Sequence, residues 1–403
     1  MARSRDIAID NARPTGTIPD RVTTAALPGE ISASAPVPAP ARPAAVARVD
    51  AIDWLRGLAV VLMIQTHLYD AWVAPAVKAT SVWYGYSRYW GGVPSRLFLL
   101  LVGVSMAIRF EAQIAKQVDR ATMVRGVIRR GFEVFLLAYL FRLQEFTLSG
   151  FGGDWMGLFR IDILNCIGAS MMAIGFIVAP RKGRPQYAAA LLAAAAFVAL
   201  GPIIGPAHFP DFIPRPLSSY LGGERPMAWF PLFPWAAWPL VGVAVGHLWV
   251  RQARHGKRRE ALVFIATGIA GFALIYGVNF VRWLNPYIIH YPSYMVQQMG
   301  PGSFIYRLGM LGPLATLAFV VSWLVGKRFS VMRQLGRTSL LVYWIHVDLC
   351  YGMVSGRLHG KLGMGWATVG LVSMTALMLA ISIFKTRYFE AWRRRSAAVP
   401  SGA

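Results

Sequence analysis

From Asp50 onward the chain alternates between apolar runs of about 20 residues and short breaks rich in basic residues, Pro or Gly. Such runs fall at approximately 52–72, 94–112, 124–144, 158–179, 187–206, 229–250, 261–281, 302–325, 335–356 and 363–384. As an α-helix rising about 1.5 Å per residue, each is long enough to cross roughly 30 Å of hydrocarbon. The pattern predicts an all-α fold: a polytopic integral membrane protein of about ten transmembrane helices.

Residues 1–49 break that pattern. They are rich in Ala and Pro, with Pro36, Pro38, Pro40 and Pro43 inside one Ala run, and show no apolar periodicity. Such a segment cannot offset the entropy of ordering, so it reads as a disordered cytoplasmic tail. It contains no apolar h-region of a secretory signal. Residues 50–390 then form one transmembrane domain, and residues 391–403 a basic cytoplasmic tail. The gaps 73–93, 207–228 and 282–301 are longer than the others and carry Trp, Tyr, Pro and Gly. No gap holds a separate soluble domain.

Composition agrees. Apolar residues make up 56% of the chain and charged residues 15%, against about 25% charged in ordinary globular proteins. Lipid must be part of the solvent. The net charge of +23 would suggest nucleic acid in a soluble protein. Here the basic residues cluster between apolar runs, which argues for cytoplasmic retention of loops and against nucleic-acid binding. Alternate gaps carry the clusters: Lys116, Arg120 and Arg125; Arg181, Lys182 and Arg184; Arg251 to Arg259; Lys327, Arg328 and Arg333; and the C-terminal tail. The intervening gaps are sparse in Lys and Arg, so both termini are expected inside. The two cysteines, Cys166 and Cys350, lie inside apolar runs and read as small buried hydrophobes.

Ionisable residues at membrane depth cost roughly 2.5–3.5 kcal/mol each on insertion scales, so they mark function or pairing. The first run holds Asp53, Arg56, His67 and Asp70. Arg56 and His67 are 11 residues apart, which at about 100° per residue leaves them about 20° apart around the helix. All four form one polar stripe, which must face the bundle interior or a wet cavity. His67 lies about 21 Å beyond Asp53 along the axis. The fourth run travels the other way and opens with Arg160, Asp162 and Asn165, at similar depth if the two helices are neighbours. A third polar group sits in the ninth run: Thr338, Ser339, Tyr343, His346 and Asp348. Glu133 reads as an ion-pair partner of Arg129 and Arg130. The aromatic stretch Ser81–Trp90 fits a membrane-interface belt better than a sugar platform. Phosphate-binding loop, paired Cys/His metal spacing, nucleophile elbow and dinucleotide fingerprint are all missing from the sequence, so no metal site is expected.

Five segments carry a family resemblance. They are Ile52–His67 (IDWLRGLAVVLMIQTH), Ser95–Ser105 (SRLFLLLVGVS), Asp162–Gly168 (DILNCIG), Phe233–Gly242 (FPWAAWPLVG) and Gly336–His346 (GRTSLLVYWIH). In this order they resemble membrane acyltransferases, most of all bacterial proteins with the catalytic domain of heparan-α-glucosaminide N-acetyltransferase. The first helix is also similar to that of acyltransferase family 3 O-acyltransferases, with an arginine, ten residues and a histidine. The resemblance implies a multi-pass enzyme of the inner (cytoplasmic) membrane. It would take an acyl group, in the first instance acetyl, from cytoplasmic acyl-CoA to a sugar on the far side. One departure stands out: the animal enzyme has Asn in place of His67 and its catalytic His in the following outer loop, whereas Leu68–Val93 here contains no His.

On that footing His67 is the expected general base, or alternatively carries an acyl-histidine intermediate, with Asp162 or Asn165 orienting acceptor or imidazole. Arg56, Arg129 and Arg130 are the expected contacts of the CoA phosphates, since guanidinium matches phosphate geometry. Asp53, Arg160 and His346 are expected in support. Acyl-CoA is then a cosubstrate, and no permanently bound cofactor is expected. Two other readings fit the same stripe: a proton-coupled transporter or flippase, in which it relays protons, and a catalytically inactive scaffold.

Overall fold

A computed structural model describes residues 49–148, 155–182, 184–205, 209–210, 212–222, 227–288 and 300–397, all within one compact unit, Pro43–Ala403. The segment expected as a disordered tail lies outside the described residues except for Val49. Helix dominates, and among the described residues there is no β-strand, only two isolated bridges, Val73 with Leu362 and Ile161 with Ala228.

The helices are α1 (Asp50–Trp72), α2 (Pro75–Thr80), α3 (Val82–Gly91), α4 (Val93–Ala115), α5 (Arg120–Leu148), α6 (Ile163–Ile177), α7 (Arg184–Ile204), α8 (Arg215–Leu221), α9 (Leu232–Trp235), α10 (Ala237–Arg254), α11 (Lys257–Ile288), α12 (Pro301–Val325), α13 (Val331–Arg337), α14 (Ser339–Tyr351) and α15 (Met364–Ala397). Six segments are long and apolar enough to cross a membrane: Val82–Ala115, Pro185–Ile204, Leu232–Arg254, Lys257–Trp283, Pro301–Val325 and Met364–Phe389. This is a multi-pass membrane protein. In α11 and α15 only 22% of the apolar window is buried by protein, so the rest must be covered by lipid. By contrast α10 is 72% buried and belongs to the interior.

The other expected spans differ for physical reasons. Helices α1 and α5 have the length, at 23 and 29 residues, but carry charged side chains. Helix α6 has 15 residues and follows a short 3₁₀ turn, Trp155–Phe159. The ninth span is broken: α13 and α14 meet at Thr338 (φ −117°, ψ 19°). A buried polar network satisfies the break. Gln334 donates to Ser382 (2.9 Å) and Thr386 (2.9 Å), and the Thr338 and Ser382 hydroxyls lie 2.6 Å apart. The gap 73–93 is helical rather than a loop. Pro75 starts α2, and Ser81 caps α3 by accepting from the Tyr84 amide at 3.3 Å. The residues expected to begin a basic tail continue α15 as far as Ala397.

Helix α1 is the hub, packing against α3, α4, α12, α13, α14 and α15. Its apolar middle joins two cores. One is built around Leu55, Leu99, Phe110 and Trp249, the other around Ile64, Leu68, Val342 and Met378. Helix α13 approaches α1 so closely that a Cβ on Gly57 would collide with the Met332 carbonyl, and one on Gly336 with the Asp53 carbonyl. Arg333 pairs with Asp50 (3.5 Å) and Arg337 with Asp53 (4.0 Å) at one end. Trp72 donates to the Cys350 carbonyl (3.0 Å) at the other. Helix α13 thus crosses α1 in the opposite sense over Asp53–Gly57, and α14 then runs parallel to α1 toward Trp72.

Candidate active site

That parallel register brings α14 side chains against the His67 end of α1. His67 is half-buried, and its Nδ1 lies 3.2 Å from the Tyr351 hydroxyl, which donates to Asp70 Oδ2 at 3.0 Å. Because the single phenolic hydrogen points to Asp70, the Tyr351 oxygen accepts from His67 Nδ1–H. The network therefore assigns the proton to Nδ1 and leaves Nε2 of His67 as the basic nitrogen. His346 is fully buried, with its ring centroid 5.4 Å from that of His67. Its Nδ1 donates to the Val342 carbonyl at 2.7 Å, and its Nε2 has no partner. Two imidazoles with basic Nε2 atoms thus sit side by side in the bundle.

The second polar group is elsewhere. Helix α6 packs chiefly on α5, and the partners of Asp162 and Asn165 among the described residues include Arg142 and Tyr220 but not His67. Asp162 is the N-cap of α6 and forms a reciprocal capping box with Asn165, whose Oδ1 accepts from the Asp162 amide at 3.1 Å. Asn165 Nδ2 also donates to Tyr220 at 3.3 Å. Arg142 pairs with both Asp162 and Glu145, and Arg160 lies 3.9 Å from Asp162. Between this cluster and His67 stand Phe141, Tyr343 and His346. Tyr343 is 5.6 Å from Phe141 and 6.0 Å from His346 between ring centroids. The two polar groups are linked through α14 and do not touch.

The expected phosphate contacts are likewise divided. Arg56 pairs with Asp53 (3.4 Å) and donates to Ser105 of α4. Arg129 and Arg130 both hold Glu133, at 3.1 and 3.0 Å, on the exposed face of α5. The Glu133 pair is as the helical spacing predicts. A cavity of about 360 Å³ between α1, α4, α10, α11 and α12 is walled by apolar residues such as Leu55, Leu100, Val263 and Leu311, and includes none of the polar residues above. No cluster of metal-ligating side chains occurs among the described residues. Both cysteines are buried and free.

Sequence reasoning missed Tyr351 and the second histidine pair of the bundle. Tyr351 follows His346 by five residues, about 140° round the helix, so helical periodicity gives no reason to group them. At the opposite end of α1 from His67, Glu111 accepts from His247 (2.9 Å) and Arg254 (2.7 Å), joining α4 to α10. An acid in the last turns of α4 and a histidine in an apolar run were its only signals.

A multi-pass bundle with a polar, histidine-bearing centre between its hub helix and a broken partner is the architecture of a membrane-embedded enzyme or carrier. Comparison with known proteins decides between these. The family model for heparan-alpha-glucosaminide N-acetyltransferase, catalytic, matches residues 48–292, more than half of the chain, and the chain belongs to this family. Membership makes it an acetyltransferase of the membrane. No curated protein matches it. The matched residues include His67, Arg56 and Asp162 but end before α14.

Proposed function

We propose that the protein transfers an acetyl group from cytoplasmic acetyl-CoA to a hydroxyl or amine of an extracytoplasmic glycan, with His67 as the general base. One observation carries the reading: the Asp70–Tyr351–His67 chain leaves Nε2 of His67 basic, beside a second imidazole, inside the bundle. In the reaction, His67 Nε2 takes the proton of the acceptor as its oxygen or nitrogen attacks the thioester carbonyl. The carbon–sulfur bond breaks, and the departing CoA sulfur takes the proton back from the imidazolium. General-base assistance of this kind contributes roughly 10²–10⁴-fold. His346 supports the site as the neighbouring imidazole.

Asp53 and Arg56 lie at the end of α1 where the CoA phosphates would enter, with the exposed Arg129 and Arg130 able to exchange Glu133 for phosphate. Asp162, Asn165 and Arg160 act on the acceptor side through Arg142 and Tyr343, a positioning role. Ten crossings, with both termini in the cytoplasm of an inner-membrane protein, follow from the alternation of basic gaps. Residues 1–49 then form an inner tail, 50–390 the enzyme and 391–403 a basic tail.

The test is free-thiol release by the detergent-purified protein, given acetyl-CoA and an amino-sugar acceptor such as glucosamine. Wild type should release CoA only when acceptor is present, and His67→Ala should lose at least a hundredfold. If His67→Ala turns over at the wild-type rate, His67 is not the base.

A further inference from the structure

Six arginines among the described residues are buried or half-buried: Arg56, Arg96, Arg142, Arg160, Arg307 and Arg333. Four of these pair with a carboxylate, on Asp53, Asp162 and Glu145, Asp162, and Asp50 respectively. Arg96 and Arg307 do not pair with any carboxylate among the described residues, although they stand together. A Cβ placed on Gly92 would lie 2.6 Å from Nη1 of Arg96 and 3.1 Å from Nη1 of Arg307. Both guanidinium groups therefore close on one point above Gly92. Arg96 donates to the Gly92 carbonyl and stacks at 5.1 Å over the ring of Trp235, and Arg307 Nε donates to Ser303 at 3.1 Å. The indole N–H of Trp235 is buried with no partner.

Two like charges held together repel, and the indole under Arg96 adds a buried N–H without an acceptor. An oxyanion between the two guanidinium groups relieves the repulsion: guanidinium groups bind phosphate and carboxylate with paired N–H donors, and clusters of Arg recognise acidic groups in this way. The place is informative. A Cβ on Gly91 would lie 3.1 Å from the Thr66 side chain, one residue before His67, so the pair sits at the His67 end of α1.

We propose that Arg96 and Arg307, beside Trp235, form a binding site for an oxyanion, a phosphate or carboxylate carried by the acetyl acceptor. The binding stands on the geometry alone; its assignment to the acceptor rests on the acetyl-transfer reading above.

The experiment is a thermal-unfolding titration of the full-length protein in neutral detergent with potassium phosphate or sodium glucuronate, against chloride at equal ionic strength. A parallel arm compares nanodiscs with and without phosphatidylglycerol. Phosphate or glucuronate should raise the unfolding midpoint of wild type. Apparent affinity should fall roughly tenfold or more in Arg96→Gln and in Arg307→Gln, as for loss of a charge-assisted hydrogen bond. Gly92→Ala should abolish the response while keeping both arginines. Gly92 has right-handed helical backbone angles (φ −82°, ψ −11°) and its Cβ would meet only the flexible ends of the two arginines, so this variant keeps its backbone, displaces the guanidinium groups and guards against misfolding of the arginine variants. Stabilisation by phosphatidylglycerol alone, lost in Gly92→Ala, keeps the site but assigns it to a lipid headgroup and overturns the acceptor. Equal response to chloride, or a response that survives in all three variants, overturns the site. If anions bind as stated but no thiol is ever released from acetyl-CoA, it is the acetyl-transfer reading that fails.

Discussion

Replacing Gly336 or Gly57 with Ala tests the contact that aligns α13 and α14 with α1. At Gly336 the new Cβ would collide with the Asp53 carbonyl oxygen and lie 3.0 Å from both Asp53 C and Gly57 N. At Gly57 it would meet the Met332 carbonyl oxygen and lie 2.5 Å from its carbon. Every obstacle is backbone, so no side chain can rotate away and the helices must separate. Overpacking of this kind costs about 1–3 kcal/mol, partly offset by a helix-propensity gain of up to about 1 kcal/mol for Gly→Ala. A net loss of about 1–2 kcal/mol corresponds to roughly 1–3 °C in the unfolding midpoint of a chain this long. The double variant should lose less than the two losses added together, because one separation relieves both clashes. Gly277→Ala is the control: it is exposed on α11, and its Cβ would meet no atom within 4 Å, so its midpoint should hold or rise. Fluorescence-detected thermal unfolding in detergent reads wild type and all four variants. If Gly57→Ala and Gly336→Ala both unfold with the control and wild type, the helices do not touch as described.

Tyr351→Phe removes one hydroxyl from the chain to Asp70. A hydrogen bond worth about 0.5–1.5 kcal/mol should slow thiol release about 2–13-fold, with the KM for acetyl-CoA unchanged. Arg142→Met should strand Asp162 and Glu145 and cost about 3–5 kcal/mol, seen as loss of monodisperse protein on size exclusion, with partial recovery in the Arg142→Met, Asp162→Asn double variant. Arg129→Ala and Arg130→Ala break pairs whose arginine side chains are 83% and 53% exposed. Stability should therefore change by less than about 1 kcal/mol, while the KM for acetyl-CoA rises several-fold.

Length and hydropathy made the lipid-facing helices legible in the sequence. Helices α7, α11, α12 and α15 keep an apolar run that only bilayer can cover, and each appears where its run does. Short helices such as α2 and α3 were not legible, because 6 and 10 residues are too few for a periodic signal to stand out from an aromatic loop. The break at Thr338 was hidden too, since its compensation comes from Ser382 and Thr386, far away in the chain. His67 could be singled out because its cost at depth is a property of one residue. Its partners could not, because adjacency of helices is a tertiary fact. Asp162 and Asn165 drew attention as polar residues at depth, yet an Asp with Asn three residues later at a helix start also has the form of a cap. Both form that cap here.

The family match covers α1 and stops before α14, while the neighbours of His67 come from α14. The site is therefore divided between a matched helix and one outside the match, and its precision depends on how the second is fixed to the first. Arg333, Arg337 and the glycine contact hold one end, and Trp72 with Cys350 holds the other. Between them the imidazoles stand 5.4 Å apart without a direct bond to keep them there. In the general-base role proposed for His67, a ring held by its surroundings rather than by its partner is preorganised: nothing at Nε2 must be broken before a proton is taken. The broken helix has a role in this arrangement. With the turn at Thr338, α13 lies backbone to backbone against α1 near Gly57, and α14 changes direction to follow α1 toward Trp72, where His346 and Tyr351 meet His67.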